Sequence, residues 1–266
     1  MAQACTATTT WRGRVEISGA KFLRFIILCA ARTGSTMLRH LLNSHPQLCC
    51  HGEVMSGPIK SLVGLDERQE TPLHRKLEQE RVADPIAFLR EYVQCDAGVA
   101  GVGFKIKYDE LVLPEFSELL AALRADESLK VVHLRRQNRF KRFVSHHAAV
   151  HVHGVYNVLD EASRPTPKLF ELASEACAAD FDLIEKRERE FVALFSEHQV
   201  HEVVYEQLLD GGTSALLDLQ HFLGVEGEIL SSRTVRMNPE NSRQIVKNYD
   251  AIAEYFANTP HQHYFE

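Results

Sequence analysis

Arg32, Thr33, Gly34, Ser35 and Thr36 place a guanidinium, a glycine and three hydroxyls in five consecutive positions, a set of groups suited to holding an anion. The residues before them, Phe25-Ile-Ile-Leu-Cys29, form an unbroken apolar run, and those after them reopen with helical apolar spacing. The segment therefore reads as strand, turn and helix. Gly34 lets backbone approach a phosphate closely, Arg32 supplies a cation, and the Ser35 and Thr36 hydroxyls join the free N–H groups at the helix start. A triphosphate-binding loop of the form G-x-x-x-x-G-K-[ST] would need glycine where Cys29 stands and lysine where Ser35 stands. An ordinary kinase or ATPase is disfavoured.

A second segment has the same build. Lys130-Val-Val-His-Leu-Arg-Arg-Gln-Asn runs from a β-branched strand into a polar turn and then a basic helix, with Arg136 at the strand end and Ser145 further along. Two strand-to-helix anion sites without a P-loop lysine resemble the sulfotransferases that use 3′-phosphoadenosine 5′-phosphosulfate (PAPS). His45-Pro46, His51-Gly-Glu-Val54, Gly103-Phe-Lys-Ile-Lys107, Val204-Tyr-Glu-Gln-Leu208, Phe222-Leu-Gly224 and Asn248-Tyr249 extend the resemblance to the nodulation-type and carbohydrate-type bacterial branch. It implies that the first turn holds the 5′-phosphosulfate, through Arg32 and the turn's hydroxyls and amides. Arg136 and Ser145 would hold the 3′-phosphate, with Arg135 the competing arginine.

The same resemblance implies an acidic base after the first helix, which points to Glu53. Loss of water around a carboxyl would raise its pKa from about 4.3 into a useful range. His51, two residues earlier on what reads as the same loop, is the rival, since an imidazole pKa of about 6.5 needs no tuning. Lys105 matches a lysine on the strand that carries catalytic residues in cytosolic sulfotransferases, and is a candidate sulfonate contact; Lys107 could simply face solvent. His146, His147, His151 and His153 form a further cluster in which His147 and His151 share a helix face. No zincin-type acid accompanies them, and the chemistry needs no metal.

The remaining composition narrows the setting. The chain has 266 residues, 45% of them hydrophobic, enough for a sizeable core. A net charge of −6 argues against broad binding of nucleic acid or other polyanions and favours a small or neutral acceptor over a heparin-like one; the acceptor class expected is a small-molecule, lipid or glycan alcohol. Six cysteines without a C-x-x-C pair make a disulfide framework unexpected, and Cys29 reads as a small buried hydrophobe. The apolar run at Phe22 to Ala31 is too short to span a bilayer, which takes roughly 20 residues, so a cytoplasmic protein without a membrane span is expected. A homo-oligomer is left open.

These motifs need an α/β scaffold: a three-layer, P-loop-like fold whose central, mostly parallel sheet is flanked by helices. Residues 1–20 read as a loose arm and residues 21–266 as one domain. Strands are expected at about 22–29, 101–106, 129–134 and 201–204, and helices at 35–44, 85–94, 114–124 and 168–197. The stretch 54–81 reads as a loop with short helical pieces over the acceptor pocket, and the chain after Ser214 as mostly helical. The function implied is sulfonate transfer from PAPS to a hydroxyl. The alternatives are a kinase with an atypical P-loop and a binding module with a degenerate site.

Overall fold

Apolar runs rich in β-branched and aromatic residues become the central strands of a parallel sheet, where both faces are covered. In the computed structural model, which describes residues 23–57, 59, 62–63, 71–95, 98–209 and 212–265, β1 (Leu23–Cys29) lies at the middle. It pairs with β3 (Gly101–Lys107) on one side and β4 (Lys130–Arg135) on the other. β2 (Leu48–Glu53) and β5 (Val200–Val204) complete the order β2-β3-β1-β4-β5, with every pairing parallel. Chain direction out of β1 thus splits between its two neighbours, and in such sheets ligands sit beyond the carboxyl ends of the strands at that split.

Alternation along the strands builds three layers. Ile26, Leu28, Phe104, Ile106 and Val131 face a core closed by α2 (Pro72–Ala83), α3 (Pro85–Tyr92), α4 (Tyr108–Leu111), α5 (Ser117–Ala125) and part of α7 (Ser174–Leu194). Phe25, Ile27, Cys29, Val132 and Leu134 face the other core, closed by α1 (Ser35–Asn43), α8 (Tyr205–Leu209) and α9 (Thr213–Phe222). A third cluster joins α6 (Arg139–His147), α7 and α10 (Tyr249–Tyr255) through Phe140, Phe181, Ile252 and Phe256. Cys29 is fully buried in its strand, and burial pushes its thiol up to about 11.

Several expectations change. Glu53 and His51 belong to β2, a strand absent from the sequence reading, and not to a loop. α2 is a full 12-residue helix inside the stretch read as loop. The long helix spans Ser174–Leu194 rather than 168–197, because Phe170 is drawn into a parallel bridge with Val246. Between α9 and Ser242 the chain has no regular element, so the C-terminal part is less helical than expected. Cys49 and Cys95 are joined as a disulfide, against the expectation, tying β2 to the segment after α3. The proposed N-terminal arm, and residues 58, 60, 61 and 64–70 of the stretch read as a loop over the acceptor pocket, lie outside the described residues.

Candidate active site

The turn after β1 is held in an unusual backbone conformation. Arg32 has φ +68° and Gly34 φ +85°, both in the left-handed region that ordinary side chains avoid. Only glycine fits at 34 for a second reason: a Cβ there would lie 2.3 Å from the Tyr205 ring. Gly34, at the N-cap of α1, has no side chain to cap the helix start, which opens onto the cleft, a position where free N–H groups suit an anion. Ser35 and Thr36 line that cleft. Thr33 does not: it is buried, and its hydroxyl donates back to the Ala30 carbonyl at 2.9 Å, which makes it a turn-forming residue rather than a side-chain ligand.

The second turn meets the first directly. Arg32 Nε donates to Ser145 Oγ at 3.1 Å, its terminal nitrogen donates to the Tyr156 carbonyl, and Arg136 donates to the Arg32 carbonyl at 3.3 Å. The Arg136 guanidinium lies over the Tyr205 ring at 4.8 Å. Burial lowers the pKa of both arginines, and among the described residues neither has a carboxylate at ion-pair distance. Arg135 differs: it pairs with Glu202 at 2.8 Å and Glu188 at 3.3 Å and does not line the cleft. Glu206 accepts the N–H groups of Gln137 and Asn138, at 2.9 and 3.1 Å, so those turn amides are already satisfied. An anion at this second site is left to side chains.

Glu53 reaches the cleft through a β-bulge. His51 pairs with Phe104 and Glu53 with Lys105, so Gly52 is an extra residue between them. In a regular strand the two side chains would share a face; the bulge sends Glu53 to the α1 side of the sheet and leaves His51 on the other. Lys105 Nζ lies 2.6 Å from Glu53 Oε1, Lys107 Nζ lies 2.9 Å from Oε2, and Ser56 donates to Oε2 at 3.0 Å. Burial would raise the Glu53 carboxyl, but attraction and hydrogen bonds from Lys105 and Lys107 outweigh it and hold the pKa at about 2. The upward shift expected from the sequence is thereby reversed. Lys107, for which a solvent-facing position was open, is fixed between Glu53 and the buried Glu110, 2.9 Å from each.

His51 is fully buried and does not line the cleft. Its Nδ1 accepts the Val63 N–H at 3.0 Å, its Nε2 sits 3.0 Å from the Gln94 carbonyl, and burial lowers its pKa to about 4. Of the two candidate bases, Glu53 lines the cleft and His51 does not. Of the four clustered histidines only His146 lines the cleft; His147 stacks on Phe170 at 5.0 Å and lies 4.9 Å from His151. Residues not singled out in the sequence also contribute, notably Asn157, which accepts from Thr36 at 3.0 Å, and Asn238. They come from irregular segments without a motif, whereas Tyr205 and Glu206 stood in a quoted segment with no role attached.

Together these elements enclose a cleft of about 930 Å³ lined by seven Lys or Arg side chains against three Glu, a balance made for a multiply charged anion. The pattern of the sulfotransferase family matches residues 24–228. The chain belongs to the sulfotransferase family. This sulfotransferase is 28% identical over 252 residues to nodulation protein H of Rhizobium meliloti strain 1021, covering 91% of this chain and 94% of that protein. It is 24% identical to nodulation protein H of Rhizobium tropici, over 91% and 92% of the two chains. The crystal structure of a sulfotransferase from Alicyclobacillus acidocaldarius shares the fold, with a TM-score of 0.51 at 18% identity over 88% of this chain and 90% of that one. The kinase alternative gives way to this membership.

Proposed function

We propose that this sulfotransferase takes its sulfonate from PAPS and transfers it to a hydroxyl of a small-molecule, lipid or carbohydrate acceptor. The observation that carries this reading is the contact between the two turns: Arg32 on Ser145, and Arg136 on the Arg32 carbonyl, make one continuous cationic cleft with Glu53 at its side. Arg136 Nε and Asn238 Nδ2 are buried there without a hydrogen-bond partner among the described residues, which fits a cleft that receives further acceptors. The α1 start, Arg32, Ser35 and Thr36 bind the 5′-phosphosulfate. Arg136 and Ser145 bind the 3′-phosphate by side chain, because Glu206 already holds the nearby amides.

In the transfer, the bond from sulfur to the phosphate oxygen breaks as the acceptor oxygen bonds to sulfur. Arg32 and the turn amides stabilise charge on the departing oxygen. The attacking hydroxyl becomes strongly acidic as its bond to sulfur forms, so a carboxylate suffices as proton acceptor, and Glu53 is placed for it. No metal has a role among these residues. Transfer of labelled sulfonate from PAPS to a panel of hydroxylated metabolites, glycans and lipids tests the reading. Labelled product from the native protein and its loss in Glu53→Gln are expected; use of ATP in place of PAPS would contradict it.

A further inference from the structure

Lys105 stands between the candidate base and the phosphate-binding turn. Its side chain is only 5% exposed, and its Nζ is 2.6 Å from Glu53 Oε1 and donates to Thr36 Oγ1 at 3.3 Å. Lys107 is placed differently, anchored by Glu110 as well as by Glu53. Ser56 lies between the same two carboxylates, donating to Glu53 and in close contact with Glu110. One lysine is thus pinned, and the other already reaches toward the donor's turn.

The charges facing Glu53 come from four directions: Lys105 and Lys107 on β3, Arg32 on the first turn, Glu110 on α4 behind Lys107, and the neutral Ser56 after β2. Lys105, Lys107, Glu53 and Glu110 cancel as a set. An anion arriving at Thr36 competes with Glu53 for Lys105, whose Nζ is within reach of both.

Resting on the PAPS reading, we propose that Lys105 is a shared cation that couples donor binding to the base. In the structure it neutralises Glu53; with PAPS on the turn it swings to the sulfonate end, and Glu53 is released to accept the acceptor's proton. A carboxylate held by two ammonium groups is a poor proton acceptor, and one held by Lys107 alone, itself shared with Glu110, is a better one. The coupling makes Glu53 effective only when there is a sulfonate to transfer. It is also reciprocal: if PAPS loosens Glu53 from Lys105, then removing the Glu53 charge must tighten PAPS. Removing the Glu53 charge also relieves its direct repulsion of an anion, so the mark of a shared lysine is a gain that depends on Lys105.

Calorimetric titration of PAPS, without acceptor, into the native protein, Glu53→Gln, Lys105→Met and the double variant reads this directly. Glu53→Gln is expected to bind PAPS at least about fivefold more tightly, the lower end of usual coupling between sites, and the gain should vanish in the Lys105→Met background. Equal or weaker binding by Glu53→Gln, or the same gain with Lys105→Met, would overturn the coupling. Should Glu53→Gln fail to fold, ¹³C-carboxyl spectra of the native protein replace it. PAPS should raise the Glu53 titration midpoint, and an unmoved midpoint counts against the proposal. No PAPS binding by the native protein would overturn the donor assignment, and this inference with it.

Discussion

Glu53 and His51 stand two positions apart on one strand, yet a single extra residue, Gly52, gives them different surroundings. Glu53→Gln keeps the side chain's size and removes its basicity, so turnover should fall by roughly 10²–10⁴-fold without weaker PAPS binding, measured by single-turnover transfer. His51→Ala should instead act on the fold, because it strands the Val63 N–H and the Gln94 carbonyl; a stability loss of about 1–3 kcal/mol in urea unfolding is expected. The arginines divide similarly. Arg136→Ala should raise the KM for PAPS by about 10–150-fold, the worth of a hydrogen bond to a charged group, with kcat little changed. Arg135→Ala, which breaks contacts to Glu188 and Glu202, should lower the melting temperature and leave that KM alone. A raised KM in Arg135→Ala alone would exchange the two roles.

At the scale of elements, the disulfide and the Glu53 ion cluster both act on β2. The Cys49–Cys95 bond closes a loop with a sequence separation of 46. Cys95→Ser should cost about 2–4 kcal/mol in unfolding stability, and a reductant should lower the melting temperature of the native protein but not of the variant. The Glu53 carboxyl is held below its usual value of 4.5, so the stability it contributes is present above that pH and is lost as pH falls through about 2. Urea midpoints between pH 5 and 2 should decline less steeply in Glu53→Gln.

The strand-turn-helix units of β1–α1 and β4–α6 were legible because apolar runs switch abruptly to helical spacing at a polar turn. β2 was not, since Leu48-Cys-Cys-His-Gly-Glu53 is short and carries polar residues at positions that only the bulge and the neighbouring elements explain. α2 was hidden by its composition: Leu73, Leu77 and Val82 are the large apolar residues of an otherwise charged helix, and Leu77 alone of them is buried. Cysteine pairing was beyond reach, because connectivity depends on which segments the fold brings together. The candidate site followed the same rule. Turn residues carry their own local signal, while Asn157, Asn238 and the Lys107 contact with Glu53 depend on packing between distant segments.

Across the whole molecule, a five-stranded parallel sheet brings the two turns into contact at its carboxyl edge, where the proposed site holds one PAPS molecule. Among the described residues no helix is long and apolar enough to cross a membrane. With PAPS as the proposed donor, adenosine 3′,5′-bisphosphate would span both turns and needs no acceptor, so its binding is independent of the second substrate. Calorimetry and thermal unfolding with this ligand, compared with magnesium-ATP, form the most direct measurement. Binding without magnesium is expected, with stabilisation of about 2.7 kcal/mol at a hundredfold its dissociation constant and strong weakening by Arg136→Ala. Tighter binding of magnesium-ATP than of the bisphosphate, or bisphosphate binding indifferent to Arg136, would contradict the proposed site.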